Sequence, residues 1–554
     1  MRGYLALVLH AHLPFVRHPE HERFLEENWL FEAITETYLP LLRTFKAWQR
    51  DGVQGRVAVS LSPTLCAMLR DGLLQERYRR HLNGLIELAE KEIHRTQWQK
   101  PFDAVARFYA ERLQGTKAEY EGMGGDLVGA FGQLQEAGVV EIMTCAATHA
   151  VLPLLAADGA SLRAQVLVAR DEYRGCFGRE PRGIWLPECA YTEALEPVLR
   201  EANLRWFVLE SHGVLHARPR PRYGIFAPLF TAGGCAAFGR DVDSARQVWS
   251  RNEGYPGDAR YRDFYRDIGF DLDLEYVQPY LPVEGMRGFT GLKYHRITGG
   301  GRAVEPYDRE AAMAAAKEHA KHFVRARTGQ FEKLGRILDR PAIVVSPYDA
   351  ELFGHWWYEG PEFLDAVVRE ACAEGAFEVI TPGDYLEQHS VNQVCTPAAT
   401  SWGEEGYLRV WLDEKNAWIY PHLRAAQERM RALVEGARTG AGSRGRGEAV
   451  DEVCPEVEGG AGRSRRAEDS GPYLERALRQ AGRELLLAQA SDWPFILRTG
   501  SSPEYARKRV TEHLLRFTNL ANQIEAGAVD REYLEQVEGQ DNLFPGMNVD
   551  YWRE

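Results

Sequence analysis

No two cysteines of this chain stand in a C-x-x-C spacing. The eight cysteines, Cys66, Cys145, Cys176, Cys189, Cys235, Cys372, Cys395 and Cys454, are scattered over 554 residues. That dispersal argues against a zinc ribbon or a disulfide frame and predicts reduced thiols in a cytoplasmic protein. No apolar run approaches the ~18–20 residues that span a bilayer. The run Tyr4–Leu9 stops at His10, too short for a secretory leader, and is expected to be a buried strand. An excess of positive charge is also missing. With 67 Lys and Arg against 80 Asp and Glu, the net charge is −13, which argues against nucleic acid or an anionic membrane as partner. No internal repeat is visible.

What the chain has in quantity is aromatic rings: 13 Trp, 24 Tyr and 23 Phe. Rings suit stacking on the flat apolar faces of sugars, although any single one is more often core. The length exceeds one compact core and predicts two to four units, or one large barrel with additions. Short apolar runs alternate with helical periodicity. Strands are expected at Tyr4–Leu9, Arg56–Leu61, Val139–Met143, Gly183–Leu186, Trp206–Leu209, Ala342–Val345 and Phe377–Ile380, with a weaker one near Gly291–Tyr294. Continuous apolar strands separated by helices predict a parallel sheet covered by helices. Seven or eight such units over about 400 residues favour an α/β barrel over an open sheet. Residues 436–471 hold nine glycines in 36 positions and almost no large apolar residue, so they are expected to be a disordered insertion. Around that insertion, residues 401–554 read as a helical domain.

Polar residues follow the strands: His10 and His12 after the first, Ser60 and Ser62 after the second, then Thr144 and His149, Glu188, Glu210 and Asp349. The C-terminal rim of a parallel barrel is where such groups converge. Glu188 leaves its strand through Pro187, and Asp349 sits in a stretch of rings, Ser346–Trp357. Two carboxyls about 5–5.5 Å apart can cleave a glycosidic bond with retention, and an apolar surrounding keeps one of them protonated. Each also has a structural reading, Asp349 as a helix cap and Glu188 as an ion-pair partner. His10-x-His12 has a rival reading as metal ligands of a metal-dependent hydrolase, completed by His149, His295 and Asp349. No H-x-x-x-H helix accompanies the pair, and hydrogen bonds from neutral histidines to sugar hydroxyls account for the same residues.

His10-Ala11-His12-Leu13-Pro14, Thr144–His149, Trp185-Leu186-Pro187-Glu188, Ser346–Trp357 and Ser401-Trp402-Gly403 through Trp411 resemble the successive signatures of glycoside hydrolase family 57. Their order with Phe238–Asp241, Arg266–Asp271, Lys293–Gly299 and Ser491–Pro494 is similar to the 1,4-α-glucan branching group of that family. The resemblance covers the chain apart from residues 436–471. It implies a (β/α)7 barrel over 1–400 with a small helical insertion around 189–260, and a C-terminal helical domain over 401–554. It implies Glu188 as nucleophile and Asp349 as acid/base. His10, His12, His149, Arg266, Trp357, Trp402, Trp411 and Asp492 are the implied substrate contacts. The resemblance implies an α-1,4-glucan as donor and acceptor and no metal or organic cofactor, and the protein is expected to be a monomer or weak homo-oligomer. α-Amylase and 4-α-glucanotransferase activities are the alternatives within the family, and a non-catalytic glucan-binding protein is another outside it. One departure stands out: residues 225–253, where the branching group carries a shielding loop with a tyrosine, contain no tyrosine. The loop Thr231–Asp241 is nonetheless expected to help close the site to water.

Overall fold

A computed structural model describes residues 3–250, 252–299, 304–443 and 470–553. Seven parallel strands form a ring: β1 (Gly3–Ala11), β2 (Val57–Leu61), β3 (Val140–Met143), β4 (Gly183–Ile184), β5 (Trp206–Leu209), β6 (Ala236–Gly239) and β7 (Ile343–Asp349). β1 lies between β2 and β7, β2 pairs with β3, and β4, β5 and β6 pair in order. Two parallel bridges, Thr144–Ile184 and Arg240–Val345, close the circuit. The fold is a (β/α)7 barrel followed by a helical C-terminal part.

Side chains alternate across each strand. Ala6, Val8, Ala58, Met143, Trp206, Val208, Phe238, Ile343 and Val345 fill the barrel interior as one cluster. Their neighbours Leu5, Leu7, Leu9, Val57, Val59 and Val344 face the covering helices. The period of two decides what lies at the mouth. Continuing 6, 8, 10, 12 along β1 brings His10 and His12 inward, and continuing 343, 345, 347, 349 brings Asp349 inward beside His10, its partner in register.

Three expectations need correction. The stretch around 189–260 is not a helical insertion, since it contains β5 and β6. The strand that completes the ring is β6, Ala236–Gly239, whose Ala-Ala-Phe-Gly sequence has no β-branched residue to mark it, and Gly291–Tyr294 forms no strand. Phe377–Val379 pairs with Gly3–Leu5 beneath the ring and is not one of its staves. The helical addition is instead the long pair Gly72–Thr96 and Lys100–Gly122, between β2 and β3. A segment before β7 packs on it, where Tyr109 Oη donates to the Lys293 carbonyl at 3.0 Å.

The C-terminal helices Ile419–Ser443, Ser470–Ala488, Asp492–Thr499, Pro503–Glu525 and Arg531–Gln540 share a continuous apolar core with the barrel's outer helices, through residues such as Met430, Leu485 and Trp552. Helix extends to Ser443 and resumes at Ser470, narrowing the expected 436–471 insertion from both ends; the rest of it lies outside the described residues. No helix among the described residues is long and apolar enough to cross a membrane. The cysteines among them are all free.

Candidate active site

At the rim, β4 runs through Trp185 and Leu186 into Pro187, and Glu188 turns back with φ 64°. Cys189 and His149 also have left-handed backbones, at φ 49° and 58°. Such conformations cost non-glycine residues about 1–3 kcal/mol each and persist only where the surroundings impose them. Two donors hold the Glu188 carboxyl. Trp402 Nε1–H donates to Oε2 at 2.6 Å, and Ser491 Oγ–H donates to Oε1 at 2.8 Å. Trp402 is fixed in turn because its backbone N–H donates to the Glu188 carbonyl at 2.7 Å.

Behind Ser491 runs a chain of hydrogen bonds. His149 Nδ1 lies 2.7 Å from Ser491 Oγ, His149 Nε2 lies 2.8 Å from His10 Nε2, and His10 Nδ1 lies 3.1 Å from Ser60 Oγ. Burial, and then the neighbouring His12, hold His10 and His149 well below the ordinary histidine range, so both are neutral. With Glu188 ionised, only one proton order satisfies every link. Ser491 donates to Glu188, His149 Nδ1–H to Ser491, His10 Nε2–H to His149, and Ser60 to His10. Every dipole in the chain then points its positive end at Glu188. His12 stacks on His149 with centroids 3.9 Å apart, and its Nε2 lies 3.1 Å from Asp492 Oδ2.

Asp349 faces this cluster from β7. Burial pushes its carboxyl up to about 6, against the lowering pull of Arg240 and His12. Arg240, from the end of β6, donates to Glu210 at 2.9 Å and lies over the Trp402 ring. The arrangement is two raised carboxyls beside Trp402 and the neutral pair His10 and His149, suited to nucleophilic and acid/base chemistry on an uncharged substrate.

The profile described as glycosyl hydrolase family 57 matches residues 6–398. The chain belongs to glycosyl hydrolase family 57. A second profile, described as 1,4-alpha-glucan branching enzyme, C-terminal, matches residues 462–552. Among characterised family 57 relatives, the 1,4-alpha-glucan branching enzyme TK1436 of Thermococcus kodakarensis is 33% identical, over 98% of this chain and 78% of its own. Among solved structures, the novel alpha-amylase AmyC of Thermotoga maritima matches with TM-score 0.89 and 40% identity, covering 100% of this chain and 99% of that one. The GH57-type branching enzyme of Pyrococcus horikoshii matches with TM-score 0.84 and 31% identity, covering 100% and 97%.

Of the residues expected from the family 57 resemblance, Glu188, Asp349, His10, His12, His149, Trp402 and Asp492 come together. Three do not. Trp357 is core, 2% exposed against Tyr261 and Phe363; the exposed indole of that pair is Trp356, on Phe264. Both are tryptophans in one turn, and sequence offers no phase to choose between them. Trp411 is also buried and backs Trp402, packing with Val151 and Ala190. Arg266 lies out on the segment before β7, 3.9 Å from Asp271. The alternative metal set also separates, because His295 sits beside Phe102 and Asp271. His10, Cys145 and His149 do bring ligand atoms within 4.8 Å. Both imidazoles are already committed to the hydrogen-bond chain, and burial pushes the Cys145 thiol well up, away from the thiolate a metal needs.

The loop expected to shield the site is misplaced too. Leu229–Phe230 runs antiparallel to β6, so the hairpin Thr231–Cys235 enters the N-terminal end of β6, opposite the rim. There Glu196 pins it, accepting from Thr231 Oγ at 2.5 Å and Gly233 N at 3.1 Å. Residues that sequence left without a role include Ser491, Arg240 and Glu351. Glu351 sits buried behind Asp349, accepting from Tyr38 Oη at 2.6 Å and from the His12 backbone at 3.2 Å. Ser491 and Arg240 each neighbour a quoted motif acid, Asp492 and Asp241, which was the available signal.

Proposed function

We propose that this chain is a 1,4-α-glucan branching enzyme that works by retaining double displacement. Glu188 attacks the anomeric carbon of an α-1,4 linkage while Asp349 protonates the departing oxygen. A glucan 6-hydroxyl, deprotonated by Asp349, then displaces Glu188 and leaves an α-1,6 branch. The observation that carries the role of Glu188 is its pair of donors, Trp402 and Ser491, with the oriented histidine chain behind one of them. Both donors come from beyond residue 400, which supports reading 1–400 as the barrel and 401–554 as the part that completes the cleft.

Burial pushes Glu188 up to about 8, above Asp349 at about 6. In the ligand-free cleft the single proton therefore rests on Glu188, the reverse of the order the first step needs. Substrate corrects this. A glycosidic oxygen gives protonated Asp349 an acceptor, and positive charge growing at the anomeric carbon stabilises ionised Glu188. His12 and Asp492, linked at 3.1 Å, present polar edges to the donor sugar.

A second reading, α-1,4-glucan hydrolysis, is favoured by the hairpin Thr231–Cys235, which lies away from the rim and cannot cover the intermediate. The α-amylase from Thermotoga maritima, at 40% identity, has the same architecture. Water at high concentration wins unless an acceptor is held in place. Incubation with amylose, counting new α-1,6 linkages against new reducing ends, separates the two. Branches in excess support the proposal, and reducing ends without branches favour hydrolysis.

A further inference from the structure

The catalytic rim carries a second recess, with a volume of about 570 Å³, within the ~300–1,000 Å³ typical of ligand sites. Its walls are residues 22–31, which follow β1, the helix Gly72–Thr96, which follows β2, and residues 279–282. None of the residues of the Glu188–Asp349 cluster lines it.

The charges on its walls are matched internally, apart from that of Arg23. Arg77 donates to Glu27 at 2.5 Å, Lys91 lies 3.1 Å from Glu87, Arg80 lies 3.7 Å from Glu22, and Arg23 donates to the Pro279 carbonyl at 3.3 Å. Three of the four cations thus face carboxylates, and Arg23 spends its donors on backbone carbonyls at the edge of the recess. What remains available is neutral. The side chains of Asn28, His81 and Asn83 make no hydrogen bond among the described residues, and burial holds His81 uncharged, down to about 4. Around them stand the rings of Phe24, Phe31 and Tyr280. Uncommitted neutral hydrogen-bonding groups among flat apolar faces fit a polyhydroxylated, uncharged ligand.

A small residue leaves this space open. Gly84 sits inside a 25-residue helix, where glycine is the poorest choice after proline. A Cβ there would meet only Tyr280 Cδ1, at an ordinary 3.7 Å. Neither backbone angle nor close packing requires a glycine, but a side chain larger than alanine would project into the recess that Gly84 lines.

We infer that this recess is a second binding site for an α-1,4-glucan chain, away from the reacting carboxyls and on the same rim. The choice of glucan over another polyol rests on the function proposed above. The site holds part of a long substrate while another part reacts, and so acts on KM for long chains and not on kcat.

The test uses the full chain carrying Glu188→Gln and maltoheptaose as probe, with binding followed by calorimetry. Two sites are expected. Gly84→Phe, which fills the recess and raises helix propensity, should leave one site, whereas Gly84→Ala should keep both. In the active protein, Gly84→Phe should raise KM for amylose severalfold at unchanged kcat. One site that Gly84→Phe does not alter, or an unchanged KM, overturns the inference and leaves the catalytic reading standing. A parent protein that acts on amylose but binds maltoheptaose only in the cleft does the same. A parent that neither binds maltoheptaose nor acts on amylose overturns the glucan reading, and the recess with it. If Gly84→Phe does not fold, Asn83→Ala with His81→Ala is measured in the same arms, where loss of the second site is required.

Discussion

Replacing Glu188 with Gln is expected to abolish activity and to make the fold more stable. The carboxyl has an ordinary value of 4.5 and is pushed up to about 8 in the folded protein by burial. Above pH 4.5 the unfolded chain releases this proton while the folded protein retains it. A raised folded value for an acid therefore means stability that is full below the unfolded value and lost as pH rises towards the folded one. At 1.36 kcal/mol per unit, the loss between 4.5 and pH 7 is about 3 kcal/mol; at pH 5 it is under about 1 kcal/mol. A glutamine does not titrate and avoids this loss. Its bonds can also be met: Oε1 accepts from Trp402, Nε2 donates to Ser491, and Ser491, His149 and His10 reverse their protons in step. The left-handed backbone at 188 is common to both proteins. Denaturant midpoints at pH 5 and pH 7 measure the gain, with equal slopes required. A gain of 1–3 kcal/mol at pH 7 that shrinks at pH 5 is the expected result, on the order of magnitude derived above. A less stable variant, or a gain that ignores pH, would refute the placement of Glu188 in a desolvating site that resists its charge.

Further outcomes follow from the same geometry. Activity should peak between pH about 6 and about 8, where the pair Asp349 and Glu188 holds one proton, and Asp349→Asn should abolish the peak; a flat profile across that window counts against the pair. Ser491→Ala should lower kcat about 10–100-fold, as expected for losing a hydrogen bond to a charged group, and should move the alkaline limb of the profile, which Glu188 sets, upward; an unchanged limb would show that Ser491 does not stabilise ionised Glu188. Shortening the hairpin Thr231–Cys235 should reduce stability through Glu196 yet leave the ratio of branching to hydrolysis unaltered, and a falling ratio would place the hairpin in the cleft after all. Prolonged chelation should leave activity intact, whereas loss restored by one metal per chain would return the histidines to ligand duty.

Six of the seven staves were legible because buried parallel strands are written as continuous apolar runs. Ala236–Gly239 was not, for it owes its place to neighbours on both sides and not to propensity. The two carboxyls of the candidate site were legible as a pair because each ends or closely follows a strand, and strand ends on one rim must converge. Trp357 and Trp411 were misread because a tryptophan in a motif looks the same whether it lines a cleft or supports the residue that does. Arg266 failed differently: its motif is present, but the segment carrying it packs on the outer helices. The hydrogen-bond chain from Ser60 to Glu188 joins residues more than 400 positions apart, and only the folded ring brings them within reach.

The donors that reach Glu188 from residues 402 and 491 have a consequence for the making of the protein. On the ribosome, the last stave of the barrel emerges with Asp349, and 142 residues later comes Ser491. At 5–20 residues per second that interval is about 7–28 s. Throughout it the barrel has both carboxyls but neither the serine that orients the histidine relay nor Asp492 opposite His12. A nascent or truncated chain that stops short of residue 491 is therefore a barrel whose Glu188 lacks the groups that hold it, and on the proposed reading it gains activity only once they have emerged.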